Sequence, residues 1–116
     1  MKNQILTISV ICATLSFFGC SSMAQNGSMI GAHEAYEKGS FKKCLSYTSE
    51  AEYYGSHSRV MDAQIMFYKA MCLEGLGQID ASKGIFEKLV RLYPESDWAI
   101  VAASKILNEK NTSNSL

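Results

Sequence analysis

The segment Arg59–Leu76 restricts the fold more than any other, because its apolar residues occupy nearly every side of an α-helix. They are Met61, Ala63, Ile65, Met66, Phe67, Ala70, Met71, Cys72, Leu73 and Leu76. A helix that is apolar nearly all round must be covered on more than one side. The segment therefore predicts a helix in the middle of an all-α domain, between neighbouring helices.

Helical periodicity continues on both sides of this segment. Phe41, Cys44, Leu45, Thr48 and Ala51 recur at spacings of three and four, which places them on one helical face. We also expect helices over Ile30–Lys38, after Asp80 and after Ser96. The mature part of the chain is therefore expected to contain five helices.

The residues between these segments are typical of helix ends. Gly39 and Gly77 stand where a left-handed cap ends a helix, and Pro94 prevents the fourth helix from continuing. Ser40 and Ser96 can cap the helices that follow them. Five helices joined by tight turns predict antiparallel helical hairpins.

The N-terminus has the features of a secretory signal. A short polar start carries Lys2, and Ile5–Phe18 follows as an uncharged run that ends at Gly19. A membrane-spanning helix needs about 20 apolar residues, so this run is too short. It is typical of the hydrophobic region of a signal peptide. A buried N-terminal helix is the alternative.

The residues Phe17-Phe18-Gly19-Cys20 resemble the lipobox of bacterial lipoproteins. The resemblance implies a signal peptide over residues 1–19 that is removed, and acyl chains such as palmitate on Cys20. It also implies an outer-membrane location facing the periplasm, because Ser21 stands where an aspartate would favour inner-membrane retention. Several acyl chains would give stable anchoring to the membrane. Ordinary secretion, with cleavage for instance after Ala24, is the alternative.

Composition sets the expected limits of the folded part. Residues 21–28 read SSMAQNGS, small and polar, so we expect residues 20–28 to form a flexible tether. Residues 108–116 read NEKNTSNSL and are expected to be a disordered tail. The helical domain is then expected to span residues 29–107.

A repeated pattern links two of the predicted hairpins. Gly77 is followed by Ile79, Ser82, Phe86 and Pro94 at the offsets of the tetratricopeptide repeat, which the pattern resembles. Gly39, Phe41 and Cys44 match the start of the same pattern. The two glycines are slightly further apart than the family repeat of about 34 residues, and we place the extra residues at positions 53–58. The resemblance implies about two repeats plus a C-terminal capping helix.

The alternative is a helical bundle of no particular family. The stretch Tyr93–Ala99 adds weight to the repeat, because it is similar to a junction found in repeat proteins of the bacterial envelope. Fewer than three full repeats is short for this architecture. The final helix then either caps the stack or is completed by a partner.

In the repeat family, the first helix of each hairpin lines a groove that holds peptides or partner helices. By offset, the resemblance implies these binding residues: His33, Tyr36, Glu37, Gln64, Phe67, Tyr68, Met71 and Glu74. The alternative for Phe67 and Met71 is that they are ordinary core residues. The partner implied is another envelope protein or a peptide segment of one.

Cys44 and Cys72 remain after removal of a signal peptide and acylation of Cys20. They lie on consecutive predicted helices, at similar distances from the turn near residue 56, and the repeat resemblance points both toward the contact between those helices. A disulfide would stabilise a small domain in an oxidising compartment. Two buried thiols are the alternative.

The sequence offers little for catalysis, metals or nucleic acid. Eleven basic and eleven acidic residues balance, whereas nucleic-acid binding needs a clustered basic excess. His33 and His57 are far apart, and no CxxC, HExxH, GxSxG or glycine-rich phosphate loop is present, so we expect no metal, no cofactor and no enzymatic activity. Two functions remain, namely an interaction adapter and a passive or self-associating structural lipoprotein. In either case the protein could form a homo-oligomer.

Overall fold

The computed structural model describes residues 21–115, and these residues form helices and turns only. Residues 21–37 belong to α1. The helices that follow are α2 (Phe41–Tyr53), α3 (Arg59–Gly75), α4 (Ile79–Leu92) and α5 (Asp97–Asn114). The prediction of an all-α fold built from antiparallel hairpins is confirmed for this part of the chain.

Helix α3 lies at the centre of the domain. It packs against α2, α4 and α5, and a shared cluster of Met29, Ala32, Ala51 and Ile65 joins it to α1 as well. Its buried side chains point in several directions, namely Ala63, Ile65, Phe67, Ala70, Cys72 and Leu73. The prediction that α3 is covered on more than one side is therefore confirmed.

The α1–α2 and α3–α4 turns have the same backbone geometry. Gly39 and Gly77 adopt φ angles of +72° and +79°, and the residues after them, Ser40 and Gln78, share φ −85° and ψ 67°. The amide of Ser40 donates to the carbonyl of Ala35 at 2.8 Å, and that of Gln78 makes the equivalent bond at 2.9 Å. These bonds close each helix as a Schellman motif, in which the left-handed residue favours glycine. Both hairpins therefore begin their second helix in the same direction.

Small residues allow the helices to approach closely. The hydroxyl of Ser82 on α4 donates to the carbonyl of Ala70 on α3 at 2.8 Å. A Cβ atom added at Gly75 would overlap the ring of Phe41 on α2. The aromatic ring of α2 therefore occupies the space that a side chain on α3 would need.

The predicted tether is wrong for residues 21–28, which are helical and belong to the packed domain. Gln25 is only 1% exposed, and its Nε2 atom donates to the carbonyl oxygens of Ala51 at 3.0 Å and Gly55 at 2.7 Å. Ser28 is buried beside it. A buried amide needs partners, and here tertiary partners exist that composition does not show. The folded part therefore begins before residue 29, and Cys20 and the expected signal over residues 1–19 lie outside the described residues.

The predicted disordered tail is also wrong as far as Asn114, where α5 ends. Thr112 and Ser113 donate their hydroxyl hydrogens to the carbonyls of Asn108 and Glu109 at 2.9 and 3.0 Å. These bonds to the carbonyl four residues earlier give both hydroxyl groups a partner within the helix. The helix therefore extends through a segment whose composition is typical of a loop.

In residues 21–115, none of the helices combines the length and the apolar character that a membrane crossing would need.

Candidate binding surface

An aromatic face runs across α1, α3 and α5, and we define it by His33, Tyr36, Tyr68 and Trp98. Tyr68 lies at its centre. Its ring centroid is 5.7 Å from that of His33, 6.4 Å from that of Tyr36 and 5.8 Å from that of Trp98. The rings meet edge-on or tilted, which is the favoured arrangement for aromatic pairs. Three helices therefore contribute to one continuous surface.

A hydrogen bond fixes the contact between α1 and α3 on this face. The Nδ1 atom of His33 and the hydroxyl oxygen of Tyr68 are 2.7 Å apart. The phenol donates when Nδ1 carries no proton, and it accepts when Nδ1 is protonated. In either arrangement the bond joins α1 to α3.

The environment of Tyr68 keeps its phenol protonated. Partial burial is the main cause that raises the pKa of Tyr68 above its ordinary value, and the nearby Glu37 carboxylate and then Tyr36 raise it further. Each of these disfavours the phenolate anion, by desolvation or by charge repulsion. The hydroxyl therefore remains a neutral hydrogen-bonding group throughout the physiological pH range.

Phe67 lies in the core rather than on this face. It is 8% exposed, and its ring centroid is 5.8 Å from that of Phe86 on α4 and 5.0 Å from that of Trp98 on α5. Met71 is half-buried against the same cluster. The sequence left binding and core roles open for both residues, and the structure places Phe67 among the core residues.

Glu74 is engaged within the domain. Its Oε1 atom accepts from the Nζ atom of Lys105 at 3.2 Å, which joins α3 to α5, and both side chains are about one-third exposed. The same ammonium lies 5.8 Å from the centroid of the Phe86 ring. By contrast, Glu37 is exposed on α1. Acidic character on this side of the domain therefore comes mainly from α1.

A depression of about 450 Å³ opens between α1 and α3, next to Tyr68. Its lining residues are Asn26, Met29, Ile30, His33, Met61, Gln64 and Tyr68. Ile30 is 62% exposed, although it is a large apolar side chain. An apolar pocket with a few polar groups at its rim can accept a side chain from another molecule.

A second depression, of about 780 Å³, lies between the start of α4 and the end of α5. Asp80, Lys83, Glu109 and Lys110 are among its lining residues. Charged side chains of both signs line it, and it contains no aromatic residue. We therefore centre the candidate site on the aromatic face.

The offsets of the sequence pattern pointed neither to Trp98 on this face nor to Lys105 beside Glu74, although a signal for both was present. Trp98 follows Gln64, and Lys105 follows Met71, by the same interval. This interval equals the repeat length of about 34 residues in the family that the sequence resembles. Extending the offset into the fifth helix would have placed both residues beside the predicted ones.

Away from this face, Cys44 and Cys72 join α2 to α3 in a disulfide, with 5.8 Å between their Cα atoms. Both side chains are fully buried, and they pack with Ala35 of α1. Cys44 occupies the same position relative to Gly39 as Ser82 does relative to Gly77. This position therefore carries a covalent bond to α3 in α2, and a hydrogen bond to α3 in α4.

The two histidines lie in separate surroundings. The Nε2 atom of His57 is 3.3 Å from the hydroxyl of Ser21 and 3.0 Å from the carbonyl oxygen of Tyr54, far from His33 in the sequence. Among residues 21–115, no three His, Cys, Asp or Glu side chains are grouped so that they could hold a metal ion.

Comparison with known proteins gives no relative. No family description, no curated protein and no solved structure matches this chain. Its function must therefore be inferred from its own residues.

Proposed function

We propose that this protein is a lipid-anchored adapter of the bacterial envelope, which holds a segment of a partner protein against its aromatic face. The observation that supports the proposal most is the convergence of Tyr36, Tyr68 and Trp98 from three helices, each ring only partly buried. Tyrosine and tryptophan give large, rigid contact areas at a low cost in conformational entropy, and they dominate binding surfaces for that reason.

The chemistry of the face suggests the chemistry of the partner. The depression beside Tyr68 is suited to an apolar side chain, because Ile30 and Met61 form part of its wall. Glu37 is exposed on α1 and lies near Tyr68, whereas the charge of Glu74 is matched by Lys105. A partner segment with an apolar anchor residue and a basic group nearby would match both features.

The envelope location belongs to the same proposal and depends on the sequence before residue 21. The uncharged run Ile5–Phe18 and the Gly19-Cys20 pair support a lipoprotein signal with acylation at Cys20. The matching turns at Gly39 and Gly77 support hairpins of the tetratricopeptide type. In that architecture, the aromatic face corresponds to the groove, and we place the adapter at the periplasmic side of the outer membrane, in an assembly, secretion, pilus or export complex.

Site-specific photocrosslinking in intact cells tests the proposal. A photoreactive amino acid at Gln64 lies beside the depression, and the same amino acid at the exposed Lys88 on α4 serves as the matched control. We expect Gln64 to form a discrete adduct with one envelope protein, and Trp98→Ala to abolish it. An absence of adducts at Gln64, or the same adducts at Lys88, would show that the aromatic face does not bind a partner.

A self-associating structural lipoprotein is the second candidate, and the surface of α5 favours it. Ile100 and Leu107 are 65% and 60% exposed, although they stand one repeat length after Met66 and Leu73 of α3. Those counterparts are half-buried and buried. An antiparallel pair of α5 helices that cross at Ser104 would cover this stripe and bring Asp97 near Lys110 of the second copy.

Measurement of the oligomeric state distinguishes the two candidates. If self-association is the function, the detergent-solubilised full-length protein should sediment as a dimer, and the double variant Ile100→Ser, Leu107→Ser should sediment as a monomer. A wild-type protein that remains monomeric at high concentration would eliminate this candidate and leave the adapter.

A further inference from the structure

The three most exposed large apolar side chains in the described part of the chain all lie at one end of the domain. Tyr53, Met23 and Val60 are 85%, 74% and 70% exposed. Tyr53 is the last residue of α2, Val60 is the second residue of α3, and Met23 lies near the first described residue of α1. Because these helices alternate in direction, all three positions lie at the same end.

Hydrogen bonds show that these helix ends meet. The hydroxyl of Ser21 lies 3.3 Å from Nε2 of His57, and the side chain of Gln25 donates to the carbonyl of Gly55 at 2.7 Å. The beginning of the described chain is therefore packed against the α2–α3 turn. We call this region, with Met23, Tyr53 and Val60, the anchor end, because Cys20 immediately precedes Ser21.

We propose that the anchor end rests on a lipid surface, with Met23, Tyr53 and Val60 in the interface between head groups and acyl chains. This inference depends on the proposed acylation of Cys20. That cysteine directly precedes a packed helix, and a residue spans at most about 3.6 Å. With no flexible linker between them, acyl chains on Cys20 would hold the anchor end within a few ångströms of the bilayer.

The side chains at the anchor end suit a lipid interface. Tyrosine has an apolar ring and a polar hydroxyl, which is why it is enriched at the level of lipid head groups. Methionine and valine gain from leaving water, in proportion to the apolar area that they bury. Leu92, at the end of α4, adds a further partly exposed apolar side chain at this end.

Arg59, at the same end, is paired within the domain, although its side chain is exposed. Arg59 binds Glu95 through a contact of 2.8 Å and donates to the carbonyl of Leu92 at 2.9 Å, and its guanidinium lies 4.9 Å from the centroid of the Tyr93 ring. An arginine with its partners already in place adds little repulsion or attraction of its own. Docking at this end would therefore depend on apolar contact more than on charged lipids.

This placement fixes the orientation of the domain on the membrane. With the anchor end on the lipid, the turns at Gly39 and Gly77 lie at the far end of the helices, as do Lys42 and Lys43. The aromatic face then extends away from the bilayer along α1, α3 and α5. A partner would reach it from the side.

Quenching by brominated lipids tests this arrangement with the full-length acylated protein in phosphatidylcholine vesicles. Trp98→Phe removes the single native tryptophan, and Tyr53→Trp then introduces one at the anchor end. The matched control is Ile79→Trp in the same background, because Ile79 is 45% exposed and lies at the opposite end. We expect bromine on the acyl chains to quench the tryptophan at position 53 several-fold more than that at position 79. Helix content by circular dichroism checks that both variants are folded.

The failure of this inference is distinguishable from the failure of the proposed anchoring. If the protein is acylated and bound to vesicles but both tryptophans are quenched equally, or neither is, the anchor end does not rest on lipid and anchoring stands. If position 53 is shielded from aqueous iodide without being quenched by bromine, protein covers this end, and the inference is also wrong. If mass spectrometry finds no acyl chains and the protein does not bind vesicles, both proposals fall.

Discussion

The 2.7 Å hydrogen bond between His33 and Tyr68 joins the first and third helices at the centre of the aromatic face. The same Tyr68 ring contacts Trp98 of α5 at a centroid distance of 5.8 Å. One side chain thus contacts three helices while part of it stays exposed. The two parts of the Tyr68 side chain therefore have different roles. The hydroxyl joins α1 to α3, and the ring supplies contact area.

Two substitutions at Tyr68 test these roles separately. Tyr68→Phe keeps the ring and loses the hydrogen bond, so we expect the free energy of unfolding to fall by about 0.5–1.5 kcal/mol, with partner capture retained. Tyr68→Ala removes the ring as well and should lose partner capture while the helix content is preserved. Urea denaturation and crosslinking yield measure the two effects. Loss of helix content in Tyr68→Ala would instead assign the ring to the core.

The pH dependence of stability follows from the raised pKa of Tyr68. Burial, then Glu37, then Tyr36 favour the protonated phenol in the folded state, so folding raises this pKa above its value of 10.0. The resulting stabilisation is fully present below about pH 10 and is lost as the pH rises through the higher pKa of the folded protein. Ultraviolet titration should show one tyrosine that ionises at a higher pH than the others and that is absent in Tyr68→Phe. Glu37→Gln should lower the pH at which this tyrosine ionises. A difference curve between wild type and Tyr68→Phe with its midpoint at or below the ordinary value of 10.0 would contradict the prediction.

Reduction of the Cys44–Cys72 bond should destabilise the domain. The bond closes a loop with a sequence separation of 28 residues. A loop of this length corresponds to about 3.5 kcal/mol in the chain-entropy description of cross-links. Urea denaturation with and without a reductant measures the difference, and the double variant Cys44→Ala, Cys72→Ala should unfold as the reduced protein does. Equal midpoints in the two conditions would show that no stabilising bond is present.

The oxidation state of these cysteines must be measured by thiol labelling in denaturant. Both side chains are fully buried, so even free thiols would escape labelling in the folded protein. We expect peptides that contain Cys44 and Cys72 to stay unlabelled in urea without reductant, and to label after reduction. Labelling of both without reductant would identify them as buried thiols.

A pair of glycines tests the close contact between α2 and α3. Gly75→Ala would place a methyl group inside the van der Waals surface of the Phe41 ring, so we expect a loss of about 1–3 kcal/mol. Gly84→Ala is the matched control, because no atom lies within 4 Å of the added group on α4. There alanine should stabilise the helix by about 0.5–1 kcal/mol. Thermal unfolding of both variants compares them, and equal shifts would show that Phe41 moves aside easily.

The sequence predicted the helical core well because local patterns determine it. The all-round apolar character of α3 predicted its central place, and Gly39 and Gly77 predicted the two turns with positive φ angles. Ser96 caps α5 as expected, with its hydroxyl accepting from the Trp98 amide at 3.1 Å. Ser40 occupies the corresponding position of α2, but its side chain makes no capping bond, and its backbone is not in the extended conformation of Ser96.

The two predictions of unfolded segments that depended on composition, residues 21–28 and the tail as far as Asn114, were wrong. The segment over residues 21–28 is polar, yet Gln25 is buried because two carbonyl groups from the α2–α3 region accept its hydrogens. Such partners are distant in sequence and leave no local pattern. The candidate site shows the same difference, since the offsets identified Tyr68 and Gln64, whereas the burial of Phe67 depends on Phe86 and Trp98 of later helices.

The shared geometry of the turns at Gly39 and Gly77 has a use in protein engineering. The exposed stripe at Ile100 and Leu107 makes α5 an open end of the array, and a copy of the Gln78–Tyr93 segment, joined by a similar glycine turn, would supply the helix that covers it. The added helix would complete a third hairpin, and a further helix packed after it could continue the surface formed by α1, α3 and α5. The domain is thus a starting template for helical arrays whose length is chosen by the designer.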